Sequence, residues 1–202
     1  FMGTPEFAVP ILKGLIENYK VRAIVTQPDK PVGRDGNLSI SPIKQVGIDN
    51  TILVLQPVKI ANEIEVIKEM EPDLIITCAY GQILPQELLD IPRLGCINVH
   101  ASLLPKLRGG APLHHCIIDG YDKTGVTIMY MDEAMDSGDI ISQKETPITD
   151  QDTMESIHDR LRVMGRDLIL ETLPSILNGT ATRMKQNEDE VTYAYNLSLI
   201  HI

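Results

Sequence analysis

The sequence predicts an α/β protein built on an open, mostly parallel sheet with helices on both faces. Three observations carry this. From Phe1 to His100, short apolar runs of strand length alternate with segments of helical periodicity. The runs at 21–26 (VRAIVT) and 73–79 (DLIITCA) are nearly continuous apolar stretches, as strands buried on both faces are. Gly, Pro, Asp and Ser turn residues mark the connections.

Phe1-Met2 reads as the end of a strand. Gly3-Thr4-Pro5-Glu6 then reads as a helix start, with Thr4 as cap and Pro5 at the first position. Phe7, Ile11, Leu12, Leu15 and Ile16 follow at helical spacing, and Pro10 should kink or restart that helix. A strand, a Gly turn and a helix start can hold an anion. There is no G-x-G-x-x-G here to support a dinucleotide. After the strand at 21–26, residues 27–42 read as a long loop. A short helix at 42–46, a strand at 52–55 and a helix at 61–70 come next, then the buried strand 73–79 ending at Tyr80-Gly81. Ile83, Leu84 and Pro85 open a short connection to a strand at 95–100. Such sheets bind ligands at the carboxyl ends of their strands, so Tyr80-Gly81 and Asn98 to His100 should lie at one crevice. Beyond it, 111–118 reads as a helix, and 125–131 and 140–147 as strands. Residues 153–177 form a long amphipathic helix with Asp152 as its cap, Pro174 as a late kink and Asn178-Gly179 as its stop.

The chain has 202 residues, 43% hydrophobic and 23% charged, a composition that suits one well-buried domain with or without a tail. No apolar run reaches the ~20 residues of a membrane helix. Eighteen basic against 28 acidic side chains give a net charge of −10, which argues against wrapping nucleic acid on a basic face but allows a local basic patch. Cys78, Cys96 and Cys116 are widely spaced with no CxxC, so they read as buried free thiols in a reducing compartment.

The stretch 95–112 (GCINVHASLLPKLRGGAP) draws attention for its chemistry. Asn98 and His100 sit two apart on a strand and so share a face. Two polar side chains on a buried strand, followed by a loop of Pro, Gly and basic residues, suit the rim of a site; hydrogen-bonded structural groups near a strand end are the plain alternative. Residues 132–139 hold four acids, yet their spacing does not match a calcium loop, and a solvated acidic turn is the plain reading. His114 and His115 are adjacent on a helix and face apart, so one buried and one exposed ring is expected rather than a metal pair.

Taken together, GTPEFAVP at 3–10, QPDKPVGR at 27–34, AYGQILP at 79–85, INVHASLLPKLRGGAP at 97–112, TGVTIM at 124–129 and MDSGDII at 135–141 resemble the catalytic domain of the methionyl-tRNA formyltransferase family. HASLLP with a following DxGD marks the wider group that uses 10-formyltetrahydrofolate; GTPEFAV and RGGAP point to its tRNA branch. The resemblance implies a Rossmann-like catalytic domain over 1–180, with 181–202 as the start of a linker or a truncated tail before a tRNA-binding domain. It implies formyl transfer from 10-formyltetrahydrofolate to methionyl initiator tRNA, in the cytoplasm, with no metal and no obligate protein partner. By motif match Asn98, His100 and Asp136 are the catalytic trio. Ser102, Leu103, Leu104, Pro105, Tyr80, Gly81, Ile83 and Leu84 contact the folate, and Arg34, Lys106, Arg108, Gly109 and Gly110 the tRNA. Two departures stand out: Asp35, Asn37 and Ser39 follow Arg34 where the family is more basic, and Leu107 stands where the family often has an aromatic residue.

The chemistry matches these residue types. A neutral amine attacks a formyl carbon, so no Ser or Cys nucleophile is required. Asn98 offers an uncharged N–H donor for the developing oxyanion. An imidazole such as His100 can donate to that oxyanion or move protons near neutral pH. Asp136 can orient His100 or hold a relaying water. Formylation of an amino sugar or nucleotide, hydrolysis of the formyl donor, and non-catalytic folate binding are the other readings open at this point.

Overall fold

The computed structural model describes residues 1–32 and 37–197, and its chain divides into two compact units, Phe1–Cys96 and Ile97–Ile202. Arg34, Asp35 and the end at 198–202 lie outside the described residues.

The first unit holds β1 (Met2–Gly3), α1 (Val9–Asn18), β2 (Ala23–Val25), β3 (Lys30–Val32), β4 (Asn37–Ser39), α2 (Pro42–Asp49), β5 (Leu53–Leu55), α3 (Ile64–Glu69), β6 (Ile75–Cys78) and α4 (Gln86–Leu89). Strands β5, β2, β1 and β6 lie side by side in that order, and all three pairings are parallel. With the β3–β4 hairpin set aside, the chain crosses this sheet third, second, first, fourth. Those are the first four positions of the Rossmann order 3-2-1-4-5-6, whose reversal between β1 and β6 opens a crevice at the strands' carboxyl ends. Ile11, Leu12, Ile24 and Ile43 are fully buried, and α2 packs on α1, β2 and β5.

Three local expectations are corrected in this unit. Thr4 does not cap a helix. A 3-10 turn over Glu6–Ala8 comes first, and α1 starts at Val9 with Pro10 in its first turn, where a missing N–H costs nothing. Thr4 instead donates its hydroxyl to the Tyr80 carbonyl at 3.1 Å and accepts from the Gln27 N–H at 3.3 Å, tying the ends of β1, β2 and β6 together. The helix expected over 61–70 is split into a 3-10 turn, Ile60–Glu63, and α3. The segment 27–42 is not all loop, because β3 and β4 pair antiparallel within it. Strands this short show no alternation, and Pro31, which looks like a turn residue, is tolerated in a ribbon whose strands are both edges.

The second unit carries β7 (Cys96–His100), α5 (Pro112–Ile118), β8 (Lys123–Tyr130), β9 (Ile140–Pro147) and α6 (Met154–Leu177). β7 pairs antiparallel with β8, and β8 antiparallel with β9. No helix separates β8 from β9; the acidic connection between them is too short for a parallel crossover. Helix α6 packs on both strands and buries Ile157, Leu161, Ile169 and Leu173. Its cap is Thr153 rather than Asp152: Thr153 and Ser156 satisfy each other's backbone N–H in a capping box. Asp152 accepts from the Thr149 N–H, the Ser156 hydroxyl and Arg160 instead.

All three cysteines are free and buried, as the sequence predicts. Burial pushes each thiol upward, that of Cys96 to about 12 with help from Asp90. A raised thiol stays protonated and unreactive at ordinary pH. A chromogenic disulfide reagent at about pH 8 is therefore expected to titrate none of the three in the folded protein and all three in denaturant.

Candidate active site

β7 supplies the first two side chains. Paired opposite Met129 and Thr127 of β8, Asn98 and His100 fall on one face. His100 is only 6% exposed, and its Nε2 lies 3.0 Å from the Leu107 carbonyl oxygen. A carbonyl can only accept, so Nε2 carries the hydrogen and donates it. In the neutral ring Nδ1 is then the bare nitrogen. It faces Asp136 Oδ2 at 3.7 Å, which is ion-pair range for a protonated ring and longer than a hydrogen bond.

Asp136 is the third member. Its Oδ2 accepts the Gly109 N–H at 2.9 Å and its Oδ1 accepts from Asn98 Nδ2 at 3.4 Å. The stretch at 132–139 is thus more than a solvated turn: Asp132 accepts from the Ala134 N–H and the Ser137 hydroxyl, and Asp136, its side chain 15% exposed, turns inward. Asp136 adopts left-handed backbone at φ 53°, an uncommon conformation for a residue with a side chain. Gly138 lies so close to the Tyr130 carbonyl that a Cβ would strike it.

The loop after β7 is held from within. Thr127 donates its hydroxyl to the Ser102 carbonyl at 2.6 Å and accepts from the Leu104 N–H at 3.1 Å. Gln143 donates to the Leu104 carbonyl and to the Thr127 hydroxyl, both at 2.8 Å. Ser102 spends its own hydroxyl on the Lys106 carbonyl. Leu104 packs with Met129 and Ile140 in the core. Of the four residues assigned to folate in this loop, Leu103 and Pro105 thus keep partly exposed side chains, while those of Ser102 and Leu104 build the loop itself. Leu103, Pro105, Lys106, Tyr121, Lys123 and Gln143 are among the residues lining a cavity of about 330 Å³.

Among the residues assigned to tRNA, Lys106 is exposed with its ammonium 5.8 Å from the centre of the Tyr121 ring. Arg108 is only 3% exposed, and its guanidinium is taken up by Gln186 and Glu188 at 2.8–3.3 Å, so it serves here as an internal cation. The chain at 184–196 does the gripping: Leu107 N–H donates to the Thr192 hydroxyl, Arg108 N–H to the Thr192 carbonyl, and Ala194 N–H to the Arg108 carbonyl. Gly109 has φ 120°, and a Cβ there would meet the Ala194 carbonyl oxygen at 2.7 Å; at Gly110 it would strike Asn196. Leu107, in left-handed backbone at φ 60°, is buried and holds His100 through its carbonyl. Neither His114 nor His115 is buried: His114 is exposed, and half-buried His115 lies 3.1 Å from both Asp119 and the Tyr195 carbonyl.

The remaining assigned residues follow β6 in the first unit. Tyr80 and Leu84 are buried, Gly81 is exposed in left-handed backbone, and Ile83 is 80% exposed. Burial, with Glu63 nearby, pushes the Tyr80 phenol to about 12.

A formyl transferase family model matches residues 1–173. The chain belongs to the formyl transferase family. It is 54% identical over 200 residues to a methionyl-tRNA formyltransferase of Geobacillus sp. (strain WCH70), an alignment covering 98% of this chain and 63% of the relative. A methionyl-tRNA formyltransferase of Bacillus subtilis (strain 168) is 52% identical over the same shares. The chain thus spans somewhat under two thirds of the length of these relatives. Among solved structures, WlaRD, a sugar 3N-formyl transferase determined in the presence of dTDP and 5-N-formyl-THF, superposes with a TM-score of 0.77. That match covers 100% of this chain and 71% of the other at 23% identity, and so speaks to the fold alone.

Gly109 gives the sharpest local test. Gly109→Ala is expected to cost about 1–3 kcal/mol of stability by chemical denaturation, because a side chain is strained at that φ and pressed against Ala194. It is also expected to shift the amide resonance at 109 as the bond to Asp136 lengthens.

Proposed function

We propose that this chain transfers the formyl group of 10-formyltetrahydrofolate to the α-amino group of methionine on initiator tRNA, a step of translation initiation carried out in the cytoplasm. The observation that carries the proposal is the convergence of Asn98, His100 and Asp136 within 3.4–3.7 Å, in a chain more than half identical to relatives of that name. No described helix is long and apolar enough to cross a membrane.

The donor set fits an acyl transfer between two nitrogens. Asn98 contributes an uncharged N–H donor to the acyl oxygen as negative charge grows there, so it is not neutralised by its own ligand. His100 takes the proton that the attacking amine sheds at Nδ1, because the Leu107 carbonyl keeps Nε2 protonated. The imidazolium so formed faces Asp136, whose carboxylate stays in place because the Gly109 N–H holds it. When bound, the folate supplies the formyl group and, as the leaving amine, takes up a proton. Leu103 and Pro105 are suited to contact it, with Ser102 and Leu104 fixing the loop they stand on; for Tyr80, Gly81, Ile83 and Leu84 the resemblance supplies the support. Lys106, with Gly109 and Gly110, is assigned to the tRNA end, and Arg34 by resemblance. Arg108 acts there by shaping the loop.

Assays with 10-formyltetrahydrofolate and either charged initiator tRNA or a nucleotide-linked amino sugar decide between acceptors. Formyl-methionyl-tRNA is the expected product; formylation of the sugar with none of the tRNA would sink the proposal. His100→Ala is expected to lower kcat by about 10²–10⁴-fold and also the melting temperature, since it strips the Leu107 carbonyl of its donor; Asn98→Ala is expected to lower kcat by about 10²–10³-fold with a melting temperature close to that of the parent protein.

A further inference from the structure

We infer that Gln186 is a positioning residue for the reaction proposed above, acting through Asp136. The inference rests on that functional reading and names a residue that no motif marks. Both hydrogens of the Gln186 amide are used: Nε2 donates to the Asp136 carbonyl at 2.8 Å and to the Gly138 carbonyl at 2.9 Å. Its Oε1 accepts from Arg108 Nε at 3.0 Å and Nη2 at 2.9 Å. One side chain thus saturates its hydrogen-bonding capacity between two segments of the site.

These bonds close a ring. Arg108 directly precedes Gly109, and the Gly109 N–H holds Asp136 Oδ2 at 2.9 Å. Asp136 is therefore gripped at its carboxylate through Gly109 and at its own carbonyl through Gln186. Both grips converge on Arg108, which cannot turn away because its buried guanidinium is also paired with Glu188 at 2.8 Å. The grip is needed because Asp136 sits in left-handed backbone, a conformation that persists in a residue with a side chain only where its surroundings over-determine it. Gln186 holds the carbonyls on either side of Ser137 and so fixes the turn from which the carboxylate projects. A shift of that turn would carry Oδ2 away from the 3.7 Å approach to His100 Nδ1.

The amide at position 186 supplies two hydrogens to one side and a carbonyl oxygen with two lone pairs to the other, matching the two bonds it donates and the two it accepts. Gln186→Glu keeps the acceptor toward Arg108, with added charge, but sets a carboxylate against two carbonyl oxygens. Gln186→Met removes both halves. The experiment measures kcat and KM for donor and methionyl-tRNA, melting temperature, and the NMR resonances of the Gly109 amide and His100 ring, in the intact protein and both variants. Q186E is expected to keep its melting temperature and its KM values while kcat falls about 10²-fold, as a small misplacement of a reacting group does. Its Gly109 and His100 resonances shift. Q186M shows the same loss of kcat together with a lower melting temperature. A folded Q186E or Q186M with the parent kcat overturns the inference. Failure of both to fold also overturns it, since Gln186 would then be only structural. If the parent protein formylates neither acceptor, the functional reading fails, and unshifted Gly109 and His100 resonances in Q186E would separately remove the positioning role.

Discussion

The carboxylate of Asp136 has two oxygens and three claimants, and the second unit is arranged around how they are shared. The Gly109 N–H at 2.9 Å is the short, charge-assisted bond. The Asn98 amide at 3.4 Å is a long one, and the His100 ring at 3.7 Å is no hydrogen bond at all. Distance orders these by strength: backbone holds the carboxylate, and the two side chains of β7 stand near it without being locked to it. Much of the local geometry follows from this arrangement, including the left-handed backbone at Asp136, Leu107 and Gly109 and the close approach of Gly138 to Tyr130.

Charge is distributed with the same economy. The chain is acidic by ten units, yet one of its arginines in the motif is withdrawn from solvent. A buried guanidinium must be paired and fully hydrogen-bonded to be tolerated. Glu188 and Gln186 meet that need, and the result is a rigid rather than a sticky loop. Lys106, two residues earlier in the same loop, stays exposed.

Strand alternation made Asn98 and His100 legible as a pair on one face, whereas Asp136 was reached only through the family resemblance and otherwise read as part of a solvated acidic turn. The free buried thiols and the parallel order of the first unit were legible for similar reasons: apolar context and alternating periods are local properties. Other features were not. Asp152 looks as good a cap as Thr153, and only the reciprocal Ser156 contact decides between them. Arg108 in a Gly-rich basic loop reads as a phosphate ligand until its partners eighty positions later are in place. Ser102 and Leu104 read as ligand contacts, yet Thr127 and Gln143, which carry no motif signal of their own as loop anchors, draw that loop into the fold.

By itself the sequence determined the class of fold and the family resemblance, since these depend on periodicity and on residue type at fixed spacing, and strand alternation set Asn98 and His100 on one face. The tertiary structure decided which nitrogen of His100 faces Asp136, which cation of the loop is internal, and that a segment resembling a tail grips the loop of the site. Those outcomes depend on acceptors supplied from far along the chain: Leu107 O for the ring, Gln186 and Glu188 for the guanidinium, Thr192 for the loop backbone. A hydrogen bond between distant segments leaves no period in the sequence, and so it becomes visible only when the chain is folded.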